Sequence, residues 1–150
     1  MGENGADGVF KTPDRRVVVQ AGGHVGLWPR ELAKHFETVY TFEPNYDNFH
    51  CLVRNVMAPN VYAMRAVLGN VAGGISITRD RPFSGVHSVV PESHGPIWTL
   101  RIDDRALTAL DAVVLDVEGA EWPVLKGAEQ SWRRFKPAVG SEKPRWGGRL

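Results

Sequence analysis

Three stretches of this sequence carry residue types that can do chemistry. Glycines stand at positions 22, 23 and 26, a lone carboxylate at Glu43, and several carboxylates in residues 116–121. A glycine turn lets the backbone approach a ligand closely, and N–H groups at a helix start can face polar or anionic groups. Carboxylates can accept hydrogen bonds from ribose hydroxyls, orient a substrate hydroxyl or act as a general base. Any joint chemistry requires these stretches to meet in the fold.

Each of the three stretches directly follows an apolar segment that reads as a strand. The valines at 17–19 are typical of a strand buried on both faces, and Thr38–Phe42 and Ala112–Leu115 show similar patterns. Helices are predicted after them, at residues 27–36, 45–56 and 120–135. Alternating strands and helices predict an α/β, doubly wound parallel sheet with ligands bound outside the carboxyl ends of its strands. The three stretches are therefore predicted to converge.

The rest of the chain yields weaker predictions. Strands are predicted at residues 61–68, 75–79, 98–102 and 136–140, and a short helical link at 107–110. Residues 80–97 are predicted to form a long loop, whose His87 and His94 are expected to face solvent rather than a metal. Residues 1–14 are expected to be a flexible arm outside the core, 15–142 the folded domain, and 143–150 a basic tail with a solvated surface.

Composition excludes some classes of protein. The 150 residues favour one domain, with 43% hydrophobic residues, 23% charged residues and a formal net charge of +1. No apolar run approaches the roughly 20 residues needed to cross a bilayer, and the start is not signal-like. We therefore expect a cytoplasmic protein with no membrane partner. The net charge neither predicts nor excludes a nucleic-acid surface, and we expect no nucleic-acid partner because the basic tail is read as a solvated surface. The single cysteine, Cys51, and the helical Trp122 and Trp132 are predicted to be buried, and Trp28 to line a pocket mouth.

Glu43, at the end of the second strand, fits a cofactor that contains adenosine. That cofactor can be a dinucleotide or S-adenosylmethionine. The glycine turn reads AGGHVG over residues 21–26 and lacks the first glycine of the dinucleotide fingerprint. A nicotinamide-dependent oxidoreductase is therefore the less favoured reading. His24 is either a plain turn residue or a base.

The sequence resembles the FkbM-type S-adenosylmethionine-dependent methyltransferases. The likeness rests on three blocks, which read VQAGGHVG at 19–26, TFEPN at 41–45 and LDVEGAE at 115–121. It implies a Rossmann-like class I methyltransferase sheet, with S-adenosylmethionine as methyl donor and S-adenosylhomocysteine as product. It also implies O-methylation of a hydroxyl on a sugar or other small molecule.

The resemblance assigns roles by position. The glycines at 22, 23 and 26 would pack against the methionine part of the cofactor, and Glu43 would bind the ribose. Asp116 and Glu118 would face the reacting centre, with Glu118 favoured over Asp116 as the base that takes the hydroxyl proton. The predicted cofactor-binding set is Gln20, Ala21, Gly22, Gly23, Gly26, Glu43, Pro44, Asn45, Ala66, Val67 and Asp116, with Ala66 and Val67 near the adenine.

The sequence also departs from that family. Gln20 stands where an acidic residue is usual, and His24 where an asparagine is usual. Class I methyltransferases have seven strands, and this chain stops soon after the fifth of them, so we expect it to lack the last antiparallel hairpin of the fold. A homo-oligomer is one way to cover the open sheet edge that would result. The alternative to an active methyltransferase is a catalytically weak or inactive cofactor-binding or interaction module of the same fold.

Overall fold

The computed structural model describes residues 7–79, 87–91 and 97–141. In chain order its elements are α1 (Asp7–Phe10), β1 (Val17–Ala21), α2 (Leu27–Leu32), β2 (Thr38–Phe42), α3 (Tyr46–Asn55), β3 (Val61–Met64), β4 (Ala66–Leu68), β5 (Gly73–Arg79), β6 (His87–Pro91), β7 (Ile97–Leu100), a 3-10 helix (Ile102–Arg105), β8 (Ala112–Leu115), α4 (Glu121–Lys126), α5 (Glu129–Phe135) and β9 (Ala138–Ser141).

The main sheet has five parallel strands in the order β3-β2-β1-β8-β9. The order reverses at β1, where β2 continues the sheet on one side and β8 on the other. In open α/β sheets such a reversal opens a crevice at the carboxyl ends of the strands. The predicted doubly wound α/β sheet is confirmed, and the β-branched runs that predicted β1, β2 and β8 lie in its centre.

Two apolar clusters cover the two faces of the main sheet. Side chains alternate between faces along each strand, so Val19 of β1 points to the larger cluster and Val18 to the smaller. The larger cluster also includes residues of β4, α4 and the 3-10 helix, whereas the smaller one includes residues of α1 and α2. Both faces of the sheet are thus buried.

A second, four-stranded sheet has the order β4-β7-β5-β6 and occupies the crossover between β3 and β8. Only β4 and β7 are parallel, since β5 runs antiparallel to both β7 and β6. The predicted strand at 61–68 divides at Arg65 into β3 of the main sheet and β4 of this one. The predicted loop at 80–97 was wrong in part, because it contains β6.

Helix bounds also differ from those predicted. The predicted helix at 120–135 is broken into α4 and α5 at Gly127 and Ala128, and Gly127 lies so close to the backbone carbonyl of Gly69 that no side chain fits there. The first predicted helix ends early, at Leu32, and is followed by a tighter turn with i→i−3 hydrogen bonds. Residues 107–110 are not helical, and the short helix precedes them at Ile102–Arg105.

Part of the predicted N-terminal arm belongs to the core. Val9 is 0% exposed within the smaller cluster, and the ring of Phe10 stacks on Trp28 with centroids 6.3 Å apart. The expectation that residues 1–14 lie outside the core is therefore wrong for α1. The cause is long-range packing, since α1 contacts β8 and β9, more than 100 residues away.

Two predicted buried residues are exposed. Cys51 lies on the outer side of α3, and Trp122 in the first turn of α4 is 68% exposed, with the Lys126 ammonium 5.6 Å from its ring centroid. Trp132 is half-buried. Helical spacing predicted that the two tryptophans share one face of a single helix, but the break at Gly127 places them on different helices.

No helix in the described part of the chain has the length and apolarity to cross a membrane. Within that part, β9 lies at the end of the main sheet next to β8. The expectation that a second copy covers this edge stays a prediction.

Candidate active site

The three chemistry-bearing stretches meet at the carboxyl-terminal ends of the central strands of the main sheet. Ala21, the last residue of β1, is in register with Phe42 at the end of β2 and with Leu115 at the end of β8. Gly22, Glu43 and Asp116 each come one residue later. The predicted convergence is confirmed, and the meeting point is the reversal of strand order beside β1.

The glycine turn is held by backbone hydrogen bonds, most of them to the end of β2. The N–H groups of Gly22 and Gly23 both donate to the carbonyl of Phe42, at 2.9 and 3.0 Å, and that of Gly26 donates to Gly23. Gly22 and Gly26 have φ of 88° and 99°, in the left-handed region that favours glycine. The turn thus uses its first N–H groups internally rather than presenting them to a ligand.

Neighbouring atoms leave no room for a side chain at Gly22 or Gly26. A Cβ on Gly22 would overlap the carbonyl of Asp116, and one on Gly26 would lie 2.6 Å from the Val56 side chain. Asn55 adds a hydrogen bond of 2.8 Å from its amide to the carbonyl of Val25. The turn is therefore clamped between the end of β8 and the end of α3, which fixes its position relative to Asp116.

Gln20 is fully buried under the turn. Its side-chain amide donates to the carbonyl of Gly22 at 2.6 Å, and its side-chain oxygen accepts a hydrogen bond from the Thr41 hydroxyl. Gln20 therefore shapes the turn from below. Its predicted direct contact with the cofactor stays a prediction, as does that of Ala21, whose side chain is buried in the larger cluster.

Glu43 ties the first turn to the second. It is 6% exposed, and its two carboxylate oxygens accept the N–H of His24 at 2.8 Å and the N–H of Asn45 at 2.9 Å. An ionised carboxylate has about four acceptor positions, so each oxygen keeps capacity for another donor. The site thus holds a carboxylate that two backbone N–H groups orient and that can still accept hydrogen bonds from a ligand.

The other residues predicted around the adenosine have structural roles of their own. The Asn45 side chain caps α3 by accepting the N–H of Asn48 at 3.0 Å, and the half-buried Pro44 precedes it. Ala66 is buried in the larger cluster, and Val67 is half-buried in β4. They lie beside the end of β3, next to Glu43, whose N–H donates to Met64.

The third turn places Asp116 and Glu118 differently. Asp116 is half-buried against the glycine turn, and its N–H donates to Ala21 at 3.0 Å. Glu118 is exposed, with φ of 41°, a left-handed conformation that is uncommon for residues other than glycine. Non-glycine residues in this conformation recur at functional sites. The geometry thus presents Glu118 to solvent at the same edge that Asp116 lines from below.

Sequence reasoning missed a pair that lies beside Glu43. Arg65 follows β3 as Glu43 follows β2, and its guanidinium carbon is 5.2 Å from the ring centroid of Tyr46, the first residue of α3. Both side chains are exposed. The only signal in the sequence was an arginine inside an apolar stretch, and it was missed because residues 61–68 were predicted to form a single strand.

Three histidines and Trp28 are the remaining residues that the sequence singled out. His24 is exposed in the turn with φ of 45°, and a role as base stays a prediction. The backbone of His87 lies in β6, while His94 falls outside the described residues. Trp28 packs on the smaller cluster. Among the residues that the structure describes, no three His, Cys, Asp or Glu side chains are grouped to hold a metal.

Known structures share this fold. Methyltransferase FkbM from Methylobacillus flagellatus is 23% identical with a TM-score of 0.61, over 85% of this chain and 32% of that chain. An rRNA methylase from Streptococcus thermophilus is 14% identical with a TM-score of 0.54, over 90% of this chain and 67% of that one. A Streptococcus mutans protein solved with S-adenosylhomocysteine is 11% identical with a TM-score of 0.53, over 90% and 68%.

The chain thus spans about a third of the length of the solved FkbM protein. No curated protein matches the sequence. The family model for the methyltransferase FkbM domain matches residues 20–146, a stretch that holds all three turns of the site. This chain therefore belongs to the FkbM methyltransferase family.

Proposed function

We propose that this protein binds S-adenosylmethionine and transfers its methyl group to a hydroxyl oxygen of a sugar or other small molecule. The family and the fold support methyl transfer. The observation that carries the choice of cofactor is the use of the turn's N–H groups. Those of Gly22, Gly23, His24 and Gly26 are all engaged by protein oxygens, which disfavours a pyrophosphate and suits a cofactor without phosphate.

The residues present fit that cofactor. Glu43 has acceptor capacity left on both oxygens, which matches the two hydroxyls of a ribose. We assign the cofactor's ammonium group to Asp116, which lies across the glycine turn from Glu43. The neutral Gln20 cannot hold it, because its amide is buried and already bonded to Gly22 and Thr41.

When bound, the cofactor supplies an electrophilic methyl group on a sulfonium. The protein's own part is positioning and proton transfer. Glu118, exposed at the site edge, accepts the proton of the acceptor hydroxyl while the new O–C bond forms and the S–C bond breaks. Asp116 orients the reacting groups from the half-buried position beneath it.

Calorimetric titration of the purified protein with S-adenosylmethionine, S-adenosylhomocysteine and NAD tests the cofactor. We expect the first two to bind and NAD not to bind. Binding of NAD alone would revive the oxidoreductase reading and overturn the proposal.

Transfer of labelled methyl groups to a panel of sugars and hydroxylated small molecules tests the reaction. General base catalysis contributes roughly 10²- to 10⁴-fold, so we expect Glu118→Gln to lose at least about 100-fold in rate with unchanged S-adenosylhomocysteine affinity. Glu37→Gln, an exposed carboxylate just before β2, is the control. Full activity of Glu118→Gln would remove Glu118 from the mechanism.

A cofactor-binding module without turnover is the second candidate. The observation that favours it is Gln20, which leaves one acidic group fewer beneath the turn. Binding of S-adenosylhomocysteine with no methyl transfer to any member of the panel would support this alternative.

A further inference from the structure

Trp98 is an exposed tryptophan on the side of the second sheet that faces the core. It lies opposite Ala66 of β4 and Gly74 of β5. Because side chains alternate along a strand, it shares its face with Leu100 of β7 and with Ala66 and Leu68 of β4. Ala66 and Leu68 are 3% and 4% exposed in the larger cluster, whereas Trp98 is 62% exposed.

Trp98 lies at the end of the second sheet that is nearest the active site. Its partner Ala66 comes two residues after β3 ends, in the same buried cluster as Ala21, Phe42 and Leu115, the last residues of β1, β2 and β8. Leu68 and its partner Leu100 lie farther along β4, toward Gly69, against which the C-terminal end of α4 packs.

The course of α4 agrees with this placement. The helix begins at Glu121, directly after the turn that carries Asp116 and Glu118, and it ends against Gly69 at the far end of β4. The near end of β4, with Ala66 and Trp98, is thus the end that faces the carboxylate turn. We name the row formed by Ala66, Trp98 and Gly74 the Trp98 platform.

Small neighbours leave the indole ring of the platform open. On one side stands the methyl group of Ala66 and on the other Gly74, which has no side chain. An exposed aromatic surface at the end of a sheet that lies toward a functional site marks a binding position, and aromatic rings pack well against flat apolar faces. A pyranose ring offers such a face in its C–H groups, and its rim of hydroxyls suits nearby carboxylates.

We propose that the Trp98 platform binds the acceptor, and that the acceptor is a pyranose whose apolar face stacks on the Trp98 ring. The hydroxyl at its rim then reaches Asp116 and Glu118. This inference rests on the proposed methyltransferase function and narrows its substrate class to ring sugars.

Saturation-transfer NMR on the full chain with S-adenosylhomocysteine tests the platform. The probes are the methyl α-pyranosides of glucose, galactose, mannose and rhamnose, with catechol as an aromatic comparison. We expect transfer to the C–H protons on one face of at least one pyranoside. Trp98→Ala should reduce it at least fivefold and Trp98→Phe should retain most of it. Tyr62→Ala, which removes an exposed aromatic ring from β3, should leave it unchanged.

Calorimetry with S-adenosylhomocysteine separates this inference from the proposed function. If Trp98→Ala binds S-adenosylhomocysteine like the wild type but loses the pyranoside, the inference holds. The inference is overturned if the saturation-transfer signal of the pyranosides is equal in the wild type and Trp98→Ala. It is also overturned if no pyranoside gives a signal, or if catechol alone does. In each of these cases the cofactor proposal stands. Failure of the wild type to bind S-adenosylhomocysteine is instead a failure of the proposed function.

Discussion

Glu43 shows how one side chain can serve both the fold and a ligand. Its two oxygens join the first turn, through His24, to the second, through Asn45. Burial of a carboxylate is costly unless hydrogen bonds compensate it. The two backbone donors provide that compensation and hold the group in one orientation, so a ribose would meet a preorganised acceptor.

Glu43→Gln replaces one carboxylate oxygen with an NH₂ group that must face a backbone N–H or the ligand hydroxyls. A hydrogen bond to a charged group contributes roughly 1.5–3 kcal/mol, so we expect S-adenosylhomocysteine affinity to fall about 10- to 100-fold. Calorimetry measures this, and Glu37→Gln is the matched control. Equal affinity in both variants would show that Glu43 does not contact the ribose.

Asp111 stabilises the sheet at the end opposite the site, where strands β1 and β8 begin. Its side chain is 6% exposed and accepts hydrogen bonds from the Arg16 guanidinium at 2.6 and 3.2 Å and from the backbone N–H groups of Arg16 and Val17 at 2.7 and 3.2 Å. Burial by itself raises the pKa of Asp111, but the bonds from Arg16 and Val17 outweigh it and leave the pKa below its ordinary value.

The lowered pKa fixes the pH dependence of stability. Asp111 contributes fully above its unfolded pKa of about 4, and the contribution is lost as pH falls through the folded pKa. We expect Asp111→Asn to lower the free energy of unfolding by about 2 kcal/mol at pH 7, and by less at pH 3. Urea denaturation at both pH values measures this. Asp104→Asn, in an exposed ion pair with Arg101, should change little, and equal effects at both pH values would contradict the assignment.

At the scale of elements, the second sheet replaces a helix in the crossover between β3 and β8. It buries Ala66 and Leu68 in the larger cluster, as a crossover helix would. A close contact also joins the residue after α4 to the residue after β4. That contact is backbone on backbone, between Gly127 and Gly69.

Gly127→Ala places a methyl group against the carbonyl of Gly69, so α4 and β4 must move apart. Overpacking of this kind costs about 1–3 kcal/mol, and we expect that loss in the free energy of unfolding. Gly8→Ala in α1 is the control, since nothing lies within 4 Å of its new Cβ, and Ala favours a helix. Chemical denaturation compares the two variants, and an unchanged Gly127→Ala would contradict the close contact.

At the scale of the whole molecule, the site lies where all layers meet. The main sheet supplies the three turns, Asn55 and Val56 at the end of α3 clamp the glycine turn, and the second sheet packs on the main sheet through Ala66 and Leu68. A ligand held there contacts parts of the chain far apart in sequence. Its binding should therefore stabilise the fold as a unit.

We expect S-adenosylhomocysteine at about 100 times its Kd to add about 2.7 kcal/mol of stability. For a domain of this size, that raises Tm by roughly 5–11 °C. Thermal unfolding followed by circular dichroism measures the shift. NAD at the same concentration should leave Tm unchanged, and an equal shift with both compounds would contradict the proposed selectivity.

The sequence by itself determined the parallel strands β1, β2 and β8 and the residues that follow them. Buried β-branched runs, glycine turns and strand-end carboxylates are local signals, and parallel register then requires Gly22, Glu43 and Asp116 to share one edge. For the same reason α3 was predicted to within a residue at each end, since its cap Asn45 and its apolar spacing are both local.

Only the tertiary structure decided the rest. The burial of Val9, the helix break at Gly127 and the division of residues 61–68 at Arg65 each depend on a partner distant in sequence. So does the use of the turn's N–H groups, which depends on the Phe42 carbonyl and the Glu43 carboxylate. Local preference allows several of these outcomes equally well. Close packing and strand pairing choose among them, because these interactions stabilise the chain only when the distant segments are in contact.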